Sequence, residues 1–130
     1  MNKIIDIPKI TDYRGNISVV EKGTIPFDIK RVYYLYDIPS DSFRGGHAHI
    51  EQSAVLIAVS GSFDVVLNNG SKKEIITLNK PYKGLLINPG IWRELENFSS
   101  GSVCLVLASD VFSEDDYIRC FDEYKDSIKK

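Results

Sequence analysis

Apolar residues recur along this chain in short runs, some alternating with polar residues and some continuous, each closed by turn residues. That is how strands of a half-buried sheet read. The runs fall at 4–7, 17–21, 31–36, 54–59, 62–67, 74–78, 84–87, 92–96 and 103–108. Between them lie Asp12-Tyr13-Arg14-Gly15-Asn16, Ser60-Gly61, Asn68-Asn69-Gly70-Ser71 and Asn88-Pro89-Gly90. The Asn-Gly pair is the strongest hairpin mark, because the favoured two-residue turn needs positive φ at both central positions. Only the C-terminal end changes period. Ser113-Glu114-Asp115-Asp116 reads as a capped helix start, with Tyr117, Phe121, Tyr124 and Ile128 near one helical face. Many short strands and one terminal helix predict an all-β jelly roll or barrel, a single domain over residues 1–130 with a short C-terminal helix.

At 130 residues the chain can bury a real core. Its net charge of −2, with no basic run beyond Lys129-Lys130, argues against nucleic-acid binding, which needs a clustered positive surface. No run is apolar over the length a bilayer span requires, no signal peptide opens the chain, and no membrane partner is expected. Cys104 and Cys120 make no disulfide framework; one lies in an apolar run and the other in the expected helix, so both read as buried free thiols. The expectation is a cytoplasmic protein that works on a small ligand.

The candidate chemistry centres on the only two histidines, in Arg44-Gly45-Gly46-His47-Ala48-His49. Residues i and i+2 of a strand share a face, so an extended run here would point both imidazoles into one space. Imidazole is the side chain best placed for metal ligation or proton transfer near neutral pH. The pair resembles the first motif of the cupin superfamily, and the run from Gly84 through Asn88-Pro89-Gly90 to Asn97 resembles the second. Two of the four ligands usual in that superfamily are missing: Ala54 stands where a glutamate is expected and Arg93 where a third histidine is. A guanidinium has no lone pair to give and repels a divalent ion, so no metal and no cofactor are expected.

What remains is a pocket of imidazoles with polar helpers. In Lys30-Arg31-Val32-Tyr33-Tyr34-Leu35-Tyr36-Asp37, parity puts Arg31, Tyr33, Leu35 and Asp37 on one face and Val32, Tyr34 and Tyr36 on the other. Arg14, Arg31, Arg44 and Arg93 flank candidate strands or motif turns. Grouped near the histidines they favour an anionic ligand, since the planar guanidinium fork suits phosphate oxygens. Gly45-Gly46 reads as a tight turn or a close backbone approach.

Several runs together resemble the dTDP-sugar 3,4-ketoisomerases, small cupin enzymes of deoxysugar biosynthesis. They are Arg31-Val32-Tyr33-Tyr34-Leu35-Tyr36, the histidine run with Gln52, residues 58–65, Trp92-Arg93-Glu94-Leu95 with Asn97-Phe98-Ser99, residues 103–109, and Asp116-Tyr117-Ile118-Arg119. The resemblance implies an isomerase that moves the carbonyl of dTDP-4-keto-6-deoxyglucose from carbon 4 to carbon 3 without a metal. Such a reaction removes a proton α to a ketone, forms an enediol and returns a proton to the neighbouring carbon, which suits a general base of near-neutral pKa. His47 is the expected base. His49 and Tyr33 would orient it, relay protons between the oxygens or stabilise the enediolate. Arg14, Arg31 and Arg44 are candidates for the diphosphate or pocket wall. Tyr13 together with Arg93 resembles the branch that gives the gluco product at carbon 4, dTDP-3-keto-6-deoxyglucose. The resemblance also implies a homodimer exchanging N-terminal strands. The competing readings are a metal-free cupin epimerase on the same nucleotide sugar, a metal-dependent oxygenase or lyase, and a non-catalytic sugar-nucleotide-binding module.

Overall fold

The computed structural model describes residues 3–129; Met1, Asn2 and Lys130, part of the expected domain span, lie outside the described residues. The strands are β1 (Lys3–Asp6), β2 (Lys9–Asp12), β3 (Gly15–Ser18), β4 (Arg31–Leu35), β5 (Arg44–His49) and β6 (Ala54–Ser60). There follow β7 (Phe63–Asn68), β8 (Lys73–Leu78), β9 (Lys83–Ile87), β10 (Trp92–Glu96), β11 (Val103–Ala108), β12 (Tyr117–Ile118) and the helix α1 (Phe121–Ile128). They form two five-stranded sheets, ordered β1-β9-β6-β11-β4 and β12-β5-β10-β7-β8, plus the separate hairpin β2-β3. Every pairing is antiparallel. This is the two-sheet, jelly-roll type of architecture expected from the sequence, with its short C-terminal helix.

The sheets pack face to face because alternate positions of their strands are apolar. Leu56, Phe63, Val65, Leu67, Leu85, Ile87, Leu95, Cys104 and Val106 meet between them, joined by Phe98, whose ring stacks on Phe63 at 5.5 Å. The first sheet is covered on its outer side as well. Ile7 and Ile25, from the segment around the hairpin, close over Val55, Ile57, Leu86 and Leu107. That second cover explains why β6 is a continuous apolar run rather than an alternating one. Beneath the second sheet, α1 lays Tyr124 and Phe121 against Trp92 and Ala48.

Tyr124 is 1% exposed, and its hydroxyl donates to the Gly90 carbonyl at 2.8 Å, with the Asn68 carbonyl also within 3.1 Å. Tyr124→Phe deletes that donor and leaves the carbonyls in a dry site. The expected cost is about 1–3 kcal/mol in urea unfolding, and an unchanged midpoint would show that the helix is held by its rings alone.

Three expectations change. The strand expected at 17–21 is Gly15–Ser18, paired with Lys9–Asp12, which the apolar pattern did not reveal because every position of both strands is exposed. The Asn-Gly turn is a four-residue loop in which only Gly70 takes positive φ (96°), and the Asn69 side chain accepts from the amides of Ser71 and Lys72. The helix does not start at Ser113. Glu114–Asp116 is a single 3₁₀ turn, Tyr117–Ile118 joins the second sheet beside β5, and α1 begins at Phe121. Cys120 therefore stands exposed before the helix, whereas Cys104 is buried in the core, its thiol pushed up to about 12 by burial.

Candidate active site

A cavity of about 430 Å³ opens at one end of the sandwich. The inward-facing Tyr33 and Leu35 of β4 form one wall, and His47, Arg93 and Leu95 of β5 and β10 form another. Tyr117 and Arg119 close a side, while Phe43 and Arg44 lie at the rim. Parity on β4 is as the alternation requires: Tyr33 faces inward, and Val32 and Tyr34 stand exposed on the far side.

Arg44 reaches the cavity by a different device. Along the β5–β10 ladder His47 pairs with Arg93 and Arg44 with Leu95, so β5 spends one residue more than its partner between the two pairs. Strict alternation would turn Arg44 away from His47. The extra residue of this β-bulge cancels that change of parity. Gly45 makes the bulge possible: its φ is +73°, and a Cβ there would meet Leu95 Cδ1 at 2.5 Å.

The two histidines are not equivalent. Their rings meet edge to face with centroids 4.8 Å apart, and Tyr117 lies against both. His49 is 1% exposed; its Nδ1 is 2.9 Å from Asp116 Oδ2 and its Nε2 is 3.2 Å from Gln52 Nε2. His47 lines the cavity, and its buried Nε2 has no hydrogen-bond partner among the described residues. Burial, reinforced by Arg93, holds both imidazoles below the usual range, His47 at about 3 and His49 at about 4, although the bond to Asp116 pulls His49 back upward. The contact of His49 with Asp116 is thus a hydrogen bond from a neutral ring.

Arg93 is 3% exposed, its Nη2 donates to the Ile91 carbonyl at 3.3 Å, and its Nε has no partner among the described residues. Among the described residues no carboxylate forms an ion pair with it. Burial lowers its pKa to about 10, against the opposing pull of Tyr33, Tyr117 and Asp116, so it stays charged at neutral pH. Arg31 sits behind the cavity wall, its guanidinium 4.5 Å from the Tyr33 ring and its Nη2 donating to the Tyr117 hydroxyl at 3.2 Å. Burial, and then Tyr117, raises the Tyr33 phenol above its ordinary range, so Tyr33 holds its proton.

The donor set does not suit a divalent ion. Both nitrogens of His49 are committed, a guanidinium faces the space beside His47, and among the described residues no three His, Cys, Asp or Glu side chains converge.

Of the expected residues, His47, Tyr33, Arg44 and Arg93 line the cavity; His49 and Arg31 support it from behind. Tyr13 and Arg14 do not line it. They tip the exposed β2-β3 hairpin, where Tyr13 is 96% exposed and Arg14 pairs with Asp12 at 2.7 Å. Tyr117, Arg119 and Asp116 were absent from the expected site because the run that holds them read as helix. Arg119 lies over the Tyr117 ring at 4.1 Å and forks onto Glu114.

Keeping two imidazoles neutral has a cost in acid. The unfolded chain takes up protons below its histidine pKa of about 6.5, whereas the folded protein resists protonation until about 4 and about 3. Stability is therefore expected to fall as pH drops from 7 to 5, a window in which few other side chains titrate. A melting temperature constant across that window would contradict the neutral pair.

Residues 1–129 match the family model described as FdtA: WxcM-like, C-terminal. The TDP-4-oxo-6-deoxy-alpha-D-glucose-3,4-oxoisomerase of Aneurinibacillus thermoaerophilus is 45% identical over 130 residues, covering 99% of this chain and 94% of that protein. A mutant of the 3,4-ketoisomerase QdtA from Thermoanaerobacterium thermosaccharolyticum, crystallised with TDP-4-keto-6-deoxyglucose, superposes with a TM-score of 0.96 at 43% identity, over 98% of this chain and 94% of the other. The WlaRB TDP-quinovose 3,4-ketoisomerase from Campylobacter jejuni does so with a TM-score of 0.91 at 45% identity, over 96% and 97% of the two chains.

Proposed function

We propose, from the premise that this chain belongs to the FdtA, WxcM-like C-terminal family of sugar-nucleotide 3,4-ketoisomerases, that it converts dTDP-4-keto-6-deoxyglucose to dTDP-3-keto-6-deoxyglucose by metal-free proton transfer. One observation carries the mechanism. The His47 ring and the guanidinium of Arg93, which has no ion-pair partner among the described residues, line one cavity, a base beside a fixed positive charge.

His47 takes the proton from carbon 3, and the electron pair of that C–H bond becomes the carbon–carbon double bond as the carbon-4 carbonyl becomes an enediolate oxygen. Arg93 supplies the charge that this oxygen meets; a preorganised cation in a dry site acts most strongly where charge develops. Tyr33, which keeps its proton, passes hydrogen between the two oxygens, so that oxygen 3 is left as the ketone. His47 gives that proton up to solvent, and carbon 4 takes a solvent-derived proton on the ring face opposite the one His47 served, which leaves the carbon-4 hydroxyl in the gluco configuration. Arg44 and Arg119, at the mouth and side of the cavity, are placed to meet the diphosphate.

The working unit is a homodimer with N-terminal strands exchanged between subunits. The β2-β3 hairpin supports this reading, since Ile10, Tyr13 and Ile17 are 60%, 96% and 63% exposed. A partner's hairpin would bring Tyr13 and Arg14 to a site that their own chain does not let them reach. With Tyr13 there beside Arg93, the gluco outcome at carbon 4 is the one favoured. A cytoplasmic reaction is part of this reading. Among the described residues no helix is long and apolar enough to cross a membrane.

Proton NMR of EDTA-treated protein with dTDP-4-keto-6-deoxyglucose in deuterated water tests the whole. The expected result is a 3-keto product carrying solvent deuterium at carbon 4, with ring couplings of the gluco isomer. Deuterium at carbons 3 and 5 with the ketone still at carbon 4 would indicate an epimerase instead.

A further inference from the structure

We infer that Asp116 and Gln52 are positioning residues that hold His49 as a neutral imidazole with both ring nitrogens occupied, and that His49 serves the reaction only by fixing the ring of His47. The second clause rests on the ketoisomerase reading; the first stands on geometry alone.

A carboxylate can only accept, so the 2.9 Å contact with Asp116 places the His49 hydrogen on Nδ1. Nε2 is then an acceptor, and the Gln52 amide NH₂, 3.2 Å away, donates to it. Turning that amide over would demand a hydrogen on Nε2 as well, hence an imidazolium. His49 is 1% exposed, lies against Tyr117 of β12 and His47 of its own strand and feels the charges of Arg93 of β10 and Arg31 of β4, with Asp116 the carboxylate bonded to it. A second positive charge among those guanidiniums is disfavoured, and the neutral tautomer is the one the site accepts.

Asp116 does more than accept from the ring. Its carboxylate also takes the backbone amides of Glu51 at 2.7 Å and Gln52 at 3.2 Å, and its own carbonyl takes the amide of Ile50 at 2.9 Å. One residue thus ties down the turn after β5, the histidine before it and the glutamine within it. His49, with no free nitrogen, cannot exchange a proton with a ligand. It presents a fixed ring against which His47 stands at 87°, leaving His47 as the imidazole that lines the cavity.

The test separates a positioning role from a merely structural one. The chain has two histidines, so ring-¹⁵N-labelled protein gives two spin systems, and the His47→Gln spectrum identifies which is His49. Wild-type protein is expected to show His49 as the Nδ1–H tautomer, unchanged from pH 5.5 to 9. Gln52→Glu replaces the donor by an acceptor of the same shape and should convert His49 to an imidazolium. With it, kcat is expected to fall by about 10²-fold while KM moves little, the mark of lost alignment rather than lost binding. Gln52→Met, which neither donates nor charges the ring, should lose less. A wild-type His49 that titrates near neutrality, or carries its hydrogen on Nε2, would overturn the inference without touching the ketoisomerase reading. So would Gln52→Glu protein of unchanged kcat. A locked His49 in a wild-type protein that turns over no dTDP-4-keto-6-deoxyglucose would overturn the ketoisomerase reading and, with it, the role through His47.

Discussion

His47→Gln is expected to lower kcat by about 10³-fold with little change in KM, since a positioned general base contributes 10²–10⁴-fold and binding does not depend on it. Glutamine keeps a polar group near the position of Nε2 and fits the half-buried site, but it cannot take up a proton. The wild-type enzyme should wash deuterium out of carbon 3 of labelled substrate, and the variant should not. The prediction singles out one histidine because His49 has both nitrogens engaged by Asp116 and Gln52, while His47 lines the cavity. Retained washout in His47→Gln protein would move the base elsewhere in the cavity, with Tyr33 the next group to test.

Arg93→Met is expected to move activity and stability in opposite directions. Loss of the buried guanidinium beside His47 should reduce kcat by about 10²–10³-fold, the range found when a preorganised donor to a developing oxyanion is removed. Folding should benefit. Arg93 is 3% exposed with no ion pair among the described residues, so the fold itself does little to compensate this buried charge. Replacing buried charges by apolar groups of like volume is often stabilising by about 1–4 kcal/mol. The midpoint of urea unfolding should rise accordingly. Arg93→Met protein that is less stable than wild type would mean that the guanidinium is compensated within the fold, and the case for a substrate oxygen as its counter-charge would fail.

Much of this was legible in the residues, and the parts that were not share a cause. Period-two alternation placed Tyr33 and Arg31 on one face of β4 and Tyr34 on the other because that strand has a core on one side only. The histidines share a face by the same alternation, although Ala48 between them is buried on the other side of β5. Alternation is silent where neither face is buried, which is why β2 went unseen beside β3. It also misleads where a tertiary contact overrides local preference. Residues 113–117 carry a good helix-start composition, yet the Asp116 carboxylate is drawn to His49 and to the amides of Glu51 and Gln52. That attachment ends the turn after three residues and lays Tyr117 along β5, into the cavity. Neither Tyr117 nor Arg119 could be assigned to the site until those long-range bonds were known. The pairing of Asp116 with His49 spans 67 residues, and nothing in local pattern announces it.

The bulge at Gly45 has a meaning for descent as well as for geometry. A one-residue deletion inside a regular strand inverts every side chain beyond it, so lineages seldom cross such a change and keep a working enzyme. Here the ladder already contains one supernumerary residue between the pair His47–Arg93 and the pair Arg44–Leu95. Loss of a single glycine codon would simply restore plain alternation, with His47 still opposite Arg93 and Arg44 still opposite Leu95. The same loss at Ala48 would set the two imidazoles on opposite faces. Length variation at the glycine pair is therefore felt at the mouth of the cavity and not in its depths. Ancestors could have altered the reach of Phe43 and Arg44 toward a different nucleotide one codon at a time, without passing through a form whose histidines had lost each other.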